Sequence, residues 1–459
     1  MQKIMFRSTN KKATLVSFKE ALLKGQAPDY GLYMPLEMPK LGKEELDSFR
    51  DKGYYEIAFE IAKKFVDDIE EEELKGLIRD AYNFDVPLEK VREGLHIMRL
   101  DRGPTASFKD FAARLMARLM HYFAKKEKRK LTVLVATSGD TGGAVAAAFH
   151  GLENVNVIVL FPEKEVTGRQ RKQMTSLGKN VRAISVKGKF DDCQALVKRA
   201  FNDMDLKNLN LTSANSINFG RLMPQIVYYI YAYSRLAKKE GDEIIFSVPC
   251  GNFGDLMGGV LAKEMGLPVE RFIVAVNEND EFPNFLKTGE YEPVVPSKEC
   301  SSNAMNVGHP SNMARLIELY GGWLIDERNE KGEVIRKGVL KERPDMEALR
   351  RNFLSFSISN EEVDQTIKEV YERYDILLEP HGAVGIAAVE KAKLNGLTVS
   401  LETAHPAKFP QKIKELLNIE PEVPESLSGL DDKEEEFEVI ENDYDKFKGI
   451  IKSKLCSER

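Results

Sequence analysis

The sequence predicts an α/β protein with mostly parallel sheets, helices on both sheet faces and a mainly helical region in front. Three observations carry that expectation. From about residue 109, buried runs such as Leu131–Ala136 (LTVLVA) and Val155–Phe161 (VNVIVLF) alternate with amphipathic helical stretches, the pattern of parallel crossovers. Turns rich in glycine and small polar residues follow several of those runs and open the next helix. The 459-residue chain is 42% hydrophobic, enough for roughly two or three domains around sizeable cores.

Residues 1–95 read as an N-terminal domain. Val16–Leu23, Glu44–Phe49, Tyr55–Phe65 and Leu74–Tyr82 have helical spacing, and Tyr30–Pro35 reads as a loop with apolar anchors. The acidic run Asp67–Glu73 suits a solvated turn and helix start, where the helix dipole favours negative charge. Gly103–Met116 (GPTASFKDFAARLM) then begins a helix: Pro104 and Thr105 mark a turn, Ser107 and Asp110 have start spacing, and Phe108, Phe111, Ala112, Leu115 and Leu119 recur at helical intervals. The basic run Lys125–Lys130 (KKEKRK) is its solvated end.

Strands follow at Leu131–Ala136, Val155–Phe161, Val181–Val186, Glu243–Val248 and Phe272–Val276. Helices follow at Gly142–Phe149, Arg169–Leu177, Asp191–Phe201, Leu222–Lys238 and Leu256–Met265. Residues 289–354 are less regular and read as a helical insertion. Helices at Glu361–Tyr374 and Ala383–Asn395 and a strand at Thr398–Glu402 complete a second region, 96–425, with a smaller α/β subdomain nested around 110–215. Residues 426–459 read as a solvated acidic tail ending in a short helix, Tyr444–Leu455.

A net charge of −6 over this length provides no general basic field for nucleic acid or an anionic membrane. Cys193, Cys250, Cys300 and Cys456 lie far apart, without a CxxC pair, which suits a reducing cytoplasm and no structural metal. The N-terminal stretch lacks the apolar core of a signal, and no apolar run approaches ~18 residues, so a soluble, cytoplasmic protein is expected.

Lys109 stands between aromatics in the first helical turn. A desolvated amine there has a lowered pKa and can attack a carbonyl; a surface lysine with its stem over apolar neighbours has the same local sequence. Thr137–Gly143 (TSGDTGG) follows a strand and opens a helix, with Ser138 and Thr141 as hydroxyl donors, and is either an anion cradle or a capped tight turn. Cys250–Gly259 (CGNFGDLMGG) repeats that arrangement, and the main-chain donors of Gly251, Asn252, Phe253, Gly254 and Asp255 suit a second phosphate. Cys250 itself reads as core filling, because no histidine neighbours it. In Asn215–Arg221 (NSINFGR), Arg221 beside Asn215, Ser216 and Asn218 is either a phosphate anchor or a surface salt-bridge partner. Glu402–Pro410 (ETAHPAKFP) offers Thr403, whose hydroxyl can face a ring nitrogen without charging it, with His405 and Lys408 nearby. His381, in Glu379–Gly382 (EPHG), is open to a structural or a functional reading.

Six motifs in this order, GPTASFKDF, ATSGDTGGAV, TSANSINFGRL, SVPCGNFGDLMGG, EPHGAVG and ETAHPAKF, closely resemble threonine synthases of the longer form with an extra N-terminal domain. The likeness runs from about Val16 to Phe409 and includes SFKEALLKGQAPDYGLYMP. It implies pyridoxal 5'-phosphate as cofactor and the fold type II architecture shared with tryptophan synthase β and cysteine synthase. By the same resemblance, Lys109 bonds the cofactor and is the catalytic base, Gly251–Asp255 cradles the cofactor phosphate, Asp140 lies beside the ring and Thr403 approaches its nitrogen. Ser138, Thr141, Asn215, Ser216 and Arg221 would hold the phosphate of O-phospho-L-homoserine, which is converted with water to L-threonine and phosphate.

A monomer or homodimer acting on this small molecule, without nucleic acid or membrane, is expected. Competing readings are a dehydratase or cysteine synthase on the same fold, and a cofactor-binding module without catalysis. A nucleotide-binding protein is disfavoured by the lack of GxGxxG or GxxxxGK[ST].

Overall fold

The computed structural model describes residues 3–239, 241–330 and 332–456, with side chains through residue 453. Strands β1 (Phe6–Ser8) and β2 (Tyr33–Pro35) pair antiparallel, so the expected Tyr30–Pro35 loop ends in a strand. Every residue of β2 is buried, and three residues are too few for alternation to mark it. Around this ladder pack the helices Phe18–Lys24, Lys43–Ser48, Tyr54–Ala62 and Glu71–Ala81. The first is set by a capping box between Ser17 and Glu20, and the last carries Glu71, Glu72 and Glu73 in its first turn.

A second departure from an all-helical opening is the antiparallel pair β3 (Leu88–Arg92) and β4 (Leu95–Arg99), turned at Gly94 with φ 76°. After the helix Lys109–Lys126 come β5 (Leu131–Ala136), β6 (Val155–Pro162), β7 (Val181–Lys187) and the short β8 (Leu211–Ser213). They alternate with the helices Asp140–Phe149, Gly168–Thr175 and Phe190–Phe201, close to the expected bounds. β9 (Ile244–Pro249) and β10 (Val269–Val276) flank the helix Gly254–Met265. The long helix expected from Leu222 is a 3₁₀ turn, Met223–Gln225, which carries Pro224 near its start, followed by a helix over Ile226–Leu236.

The helical insertion expected over 289–354 is instead built around a hairpin, β11 (Trp323–Arg328) and β12 (Val334–Glu342). Three register irregularities break its alternation, which hides it from a period-two reading. Short helices, Met313–Leu319 and Met346–Asn352, flank it, and β13 (Phe353–Ser357) joins the larger sheet. The helices Asn360–Tyr374 and Pro380–Ala392 then lead to β14 (Leu397–Glu402). The acidic tail is likewise only partly a solvated segment: β15 (Glu438–Glu441) buries Ile440 and pairs with β7 before the final helix, Tyr444–Cys456.

Two sheets result. The larger has the order β13-β10-β9-β14-β4-β3, parallel except for the last pair, and the smaller has the wholly parallel order β15-β7-β6-β5-β8. All six residues of β5 and of β9 are buried, as strands covered by helices on both faces must be. The Lys109–Lys126 helix buries Phe111, Leu115, Met116, Leu119, Met120 and Phe123 between the N-terminal helices and the sheets.

Phe111 therefore does not flank Lys109. Residues two apart lie about 200° around a helix, and its ring packs edge-on to Phe84, with centroids 4.9 Å apart, and against Tyr54 at 5.2 Å. Among the described residues, no helix is long and apolar enough to cross a membrane. Cys193, Cys250 and Cys300 are buried and free; the Cys456 side chain lies outside the described residues.

Candidate active site

Four parallel strands, β5, β8, β9 and β14, release their loops at carboxyl ends, where open α/β sheets present ligand sites. The loops surround one cavity of about 860 Å³, its open mouth included. Thirteen of the residues singled out from the sequence line it: Lys109, Ser138, Asp140, Thr141, Asn215, Ser216, Arg221, Gly251, Asn252, Phe253, Gly254, Asp255 and Thr403.

Lys109 is the first residue of its helix, and its Nζ lies 4.6 Å from the centre of the Phe108 ring. Burial lowers the amine to about 8, with Asp140 opposing and Arg221 and Lys408 reinforcing the shift. Asp110, expected to pair with Ser107, instead accepts from the Thr105 N–H (2.8 Å) and hydroxyl (2.7 Å) and fixes the turn before the helix.

The Thr137–Gly143 turn is self-held: Thr137 Oγ1 accepts from the N–H groups of Gly139 and Gly142, each at 2.9 Å. Gly139 has φ 139°, and a Cβ there would lie 2.6 Å from the Gln170 side chain, so glycine alone fits. The helix that follows has glycine as its N-cap, and apart from the Gly142 N–H that Thr137 takes, its first N–H groups are left available. Asp140 is buried and accepts from Gln170 Nε2 at 3.0 Å and from Lys408 Nζ at 2.5 Å. Although burial pushes it upward, Lys408 and Lys109 hold its carboxyl well below the usual range.

The Gly251–Asp255 loop enters its helix through Phe253, at φ 59° and again without a side-chain cap. A Cβ on Gly251 would stand 2.9 Å from the Ala304 carbonyl oxygen, so main chain meets main chain there. Asp255 Oδ1 accepts from the Tyr229 hydroxyl at 2.6 Å, its Oδ2 has no partner, and burial lifts the carboxyl to about 7. Cys250 is buried, donates to the Val248 carbonyl and is pushed well above its ordinary pKa by burial, which disarms it as a nucleophile.

Arg221 is no surface salt-bridge partner. It is buried, donates to the Ala214 carbonyl at 2.6 Å and keeps an unpartnered Nε. Burial lowers it only to about 10, so it stays cationic at neutral pH. Asn218 does not reach the cavity; its amide holds the loop through the carbonyls of Leu22 and Ser213. Thr403 donates to Glu379 Oε1 at 3.4 Å. His381 lines the cavity, but both its ring nitrogens are engaged: Nε2 accepts from the Ala304 N–H, which places the proton on Nδ1, 2.5 Å from Glu379 Oε2.

The family profile described as "Pyridoxal-phosphate dependent enzyme" matches residues 83–401, "Threonine synthase N terminus" matches 5–82 and "Threonine synthase, C-terminal" matches 382–451. The threonine synthase of Haemophilus influenzae is 36% identical over 435 residues, 94% of each chain. The chain belongs to the threonine synthase family. Solved structures of threonine synthases agree: the pyridoxal-phosphate-bound protein of Brucella melitensis superposes with a TM-score of 0.89 at 35% identity over 98% of this chain and 99% of that one. The yeast protein superposes at 0.87 with 32% identity over 99% of both.

This threonine synthase is thus a pyridoxal-phosphate-dependent enzyme of fold type II. The cavity fits the cofactor on its own chemistry. It offers a half-buried amine with a lowered pKa, an uncapped helix start on a close-packed glycine loop and, among the described residues, an unpartnered Asp255 Oδ2.

Sequence reasoning gave no role to Lys408, Glu379, Gln225 or Met305, although the first two hold cavity residues and the other two line it. Lys408 carried a usable signal, since like Lys109 it has apolar neighbours, Ala407 and Phe409.

Proposed function

We propose that Lys109 is the residue this threonine synthase uses to bond its cofactor and to move protons at the substrate carbons, as O-phospho-L-homoserine and water become L-threonine and phosphate. The supporting observation is one cavity lined by the half-buried Lys109 and the buried Arg221, with two helix starts whose N-cap residues make no side-chain hydrogen bond, enough to receive two separate phosphates. The main chain of Gly251–Asp255 would hold the cofactor phosphate, with Asp140 and Thr403 beside the ring. Ser138, Thr141, Asn215, Ser216 and Arg221 would hold the substrate phosphate.

When bound, pyridoxal phosphate supplies a carbonyl that condenses with amines and a conjugated ring that accepts the electron pair of a departing carbon-bound proton. The chain supplies the remainder. Lys109 takes the proton from substrate Cα, passes it to an oxygen of the substrate phosphate and, neutral again, takes a second from Cβ; as the Cγ–O bond breaks, Arg221 and the Ser138 and Thr141 hydroxyls offset the charge of the leaving phosphate. Water then delivers its hydroxyl to Cβ and protons return to carbon, Lys109 acting as the acid. Each well-placed transfer contributes about 10²–10⁴-fold.

Phosphate release from O-phospho-L-homoserine with equimolar threonine is the expected assay result. Ammonia release from threonine without phosphate turnover would instead favour a dehydratase. A cytoplasmic enzyme, monomeric or homodimeric and without a nucleic-acid partner, belongs to the same proposal, and light scattering on the purified holoprotein tests its assembly.

A further inference from the structure

The irregular stretch 289–354 contributes two buried side chains that the roles above leave unused. Arg315 has no exposed surface. It donates through Nε to the Tyr33 carbonyl (3.2 Å), through Nη1 to the Ser216 carbonyl (2.9 Å) and Asn312 Oδ1 (2.5 Å), and through Nη2 to the Ile217 carbonyl (2.6 Å). Asn312, equally buried, donates from its amide to Ser216 Oγ at 3.1 Å and to the Asn252 carbonyl at 2.9 Å. Its neighbour Ser311 donates by N–H and hydroxyl to Asn252 Oδ1 at 3.3 and 3.1 Å. A continuous polar strut therefore runs from β2 through Arg315 and Asn312 to the two loops that carry Ser216 and Asn252, both on the cavity wall.

We propose that Arg315 and Asn312 are positioning residues that clamp the substrate-phosphate loop, 215–221, and the cofactor-phosphate loop, 251–255, into one rigid unit. The inference rests on the assignment of the two phosphates made above. It explains why a guanidinium is kept in the core here. Among the described residues no carboxylate pairs with Arg315, and an uncompensated buried cation is costly. Its planar fork grips three main-chain carbonyls and one side-chain oxygen at fixed angles, which a lysine cannot do. Anion sites made of loop donors work only when those donors are held before the ligand arrives. A strut touching both loops therefore sets both sites together, whereas Arg221 belongs to one alone.

The test uses the full-length holoenzyme and two variants, Arg315→Lys, which keeps the charge and loses the fork, and Asn312→Ala, which cuts the bridge at its mildest point. Cofactor dissociation is followed by absorbance and fluorescence, substrate affinity by KM, and folding by the melting midpoint of the cofactor-free protein. Expected in both variants is a joint rise of about tenfold in the cofactor Kd and the substrate KM, the scale of one or two lost hydrogen bonds. The accompanying kcat should stay within roughly threefold, while the melting midpoint falls in both variants because buried hydrogen-bonding groups lose their partners. A variant that binds cofactor and substrate like the parent, shifts only one constant, or loses stability with both constants unchanged overturns the clamp. Failure of the underlying assignment looks different: Arg221→Ala with unchanged KM refutes the phosphate placement whatever the strut variants do.

Discussion

Lys408 Nζ lies 2.5 Å from Asp140 Oδ1, and both side chains are buried at the edge of the cavity. Lys408 also donates to the Thr105 carbonyl at 3.1 Å, joining the turn before Lys109 to the loop after β14. Removing one partner of a buried pair strands the other charge. Lys408→Met should therefore destabilise the cofactor-free protein by about 3–5 kcal/mol, and Lys408→Met with Asp140→Asn should recover part of that loss. Denaturant melts of the four proteins measure it; additive losses would mean the pair is not coupled.

Lys109→Ala should abolish phosphate release while leaving the melting curve near that of the parent, because the residue sits at a helix start, where alanine is well tolerated. Threonine production by that variant would remove Lys109 from the mechanism.

The pH profile of cofactor loading follows from the same amine. Only the neutral form condenses with a carbonyl, and burial brings the Lys109 pKa down to about 8. Loading of the cofactor-free protein should accelerate as pH rises through about 8 and then level off. An ordinary lysine would keep accelerating toward 10, which stopped-flow absorbance distinguishes.

Arg221→Ala should raise KM for the phosphorylated substrate by about tenfold or more, the cost of a lost charge-assisted contact, and leave the cofactor absorbance in place. A variant that purifies without cofactor would show that the two phosphate loops have been exchanged.

Asp255 predicts a stability effect of definite sign. Its folded-state carboxyl is lifted to about 7 by burial, above its unfolded value near 3.8. The folded protein therefore binds the extra proton between those values, and stability falls as pH rises from about 4 to 7. Asp255→Asn should remove that slope and gain at most about 4 kcal/mol at pH 8 in the cofactor-free protein. Equal pH slopes in parent and variant would contradict the buried, unpaired state of Oδ2.

What the chain declares locally is its loops at strand ends. Each glycine-rich turn after a buried run could be found because strand, turn and helix are contiguous, and the cavity gathers the residues those turns carry. Contacts between distant segments were silent. Nothing near Lys408 names Asp140 as its partner, and nothing near Arg315 names Ser216. Phe111 was misassigned because nearness in sequence was taken for nearness around a helix, whereas a two-residue step points to the opposite side. β11 and β12 escaped because bulges erase alternation, and β15 because one buried isoleucine among glutamates leaves no pattern.

That last strand has a consequence of its own. β15 occupies the flank of the smaller sheet beside β7, and the ion pairs Arg169–Asp431 and Arg171–Glu435 fasten the approach to it. Without it, β7 would offer a row of unsatisfied main-chain donors and acceptors to any extended segment that drifted past. β15 thus takes over as the edge of that sheet, shorter than β7 and carrying the charges of Glu438 and Glu441, both of which make an edge a poor template for a foreign strand.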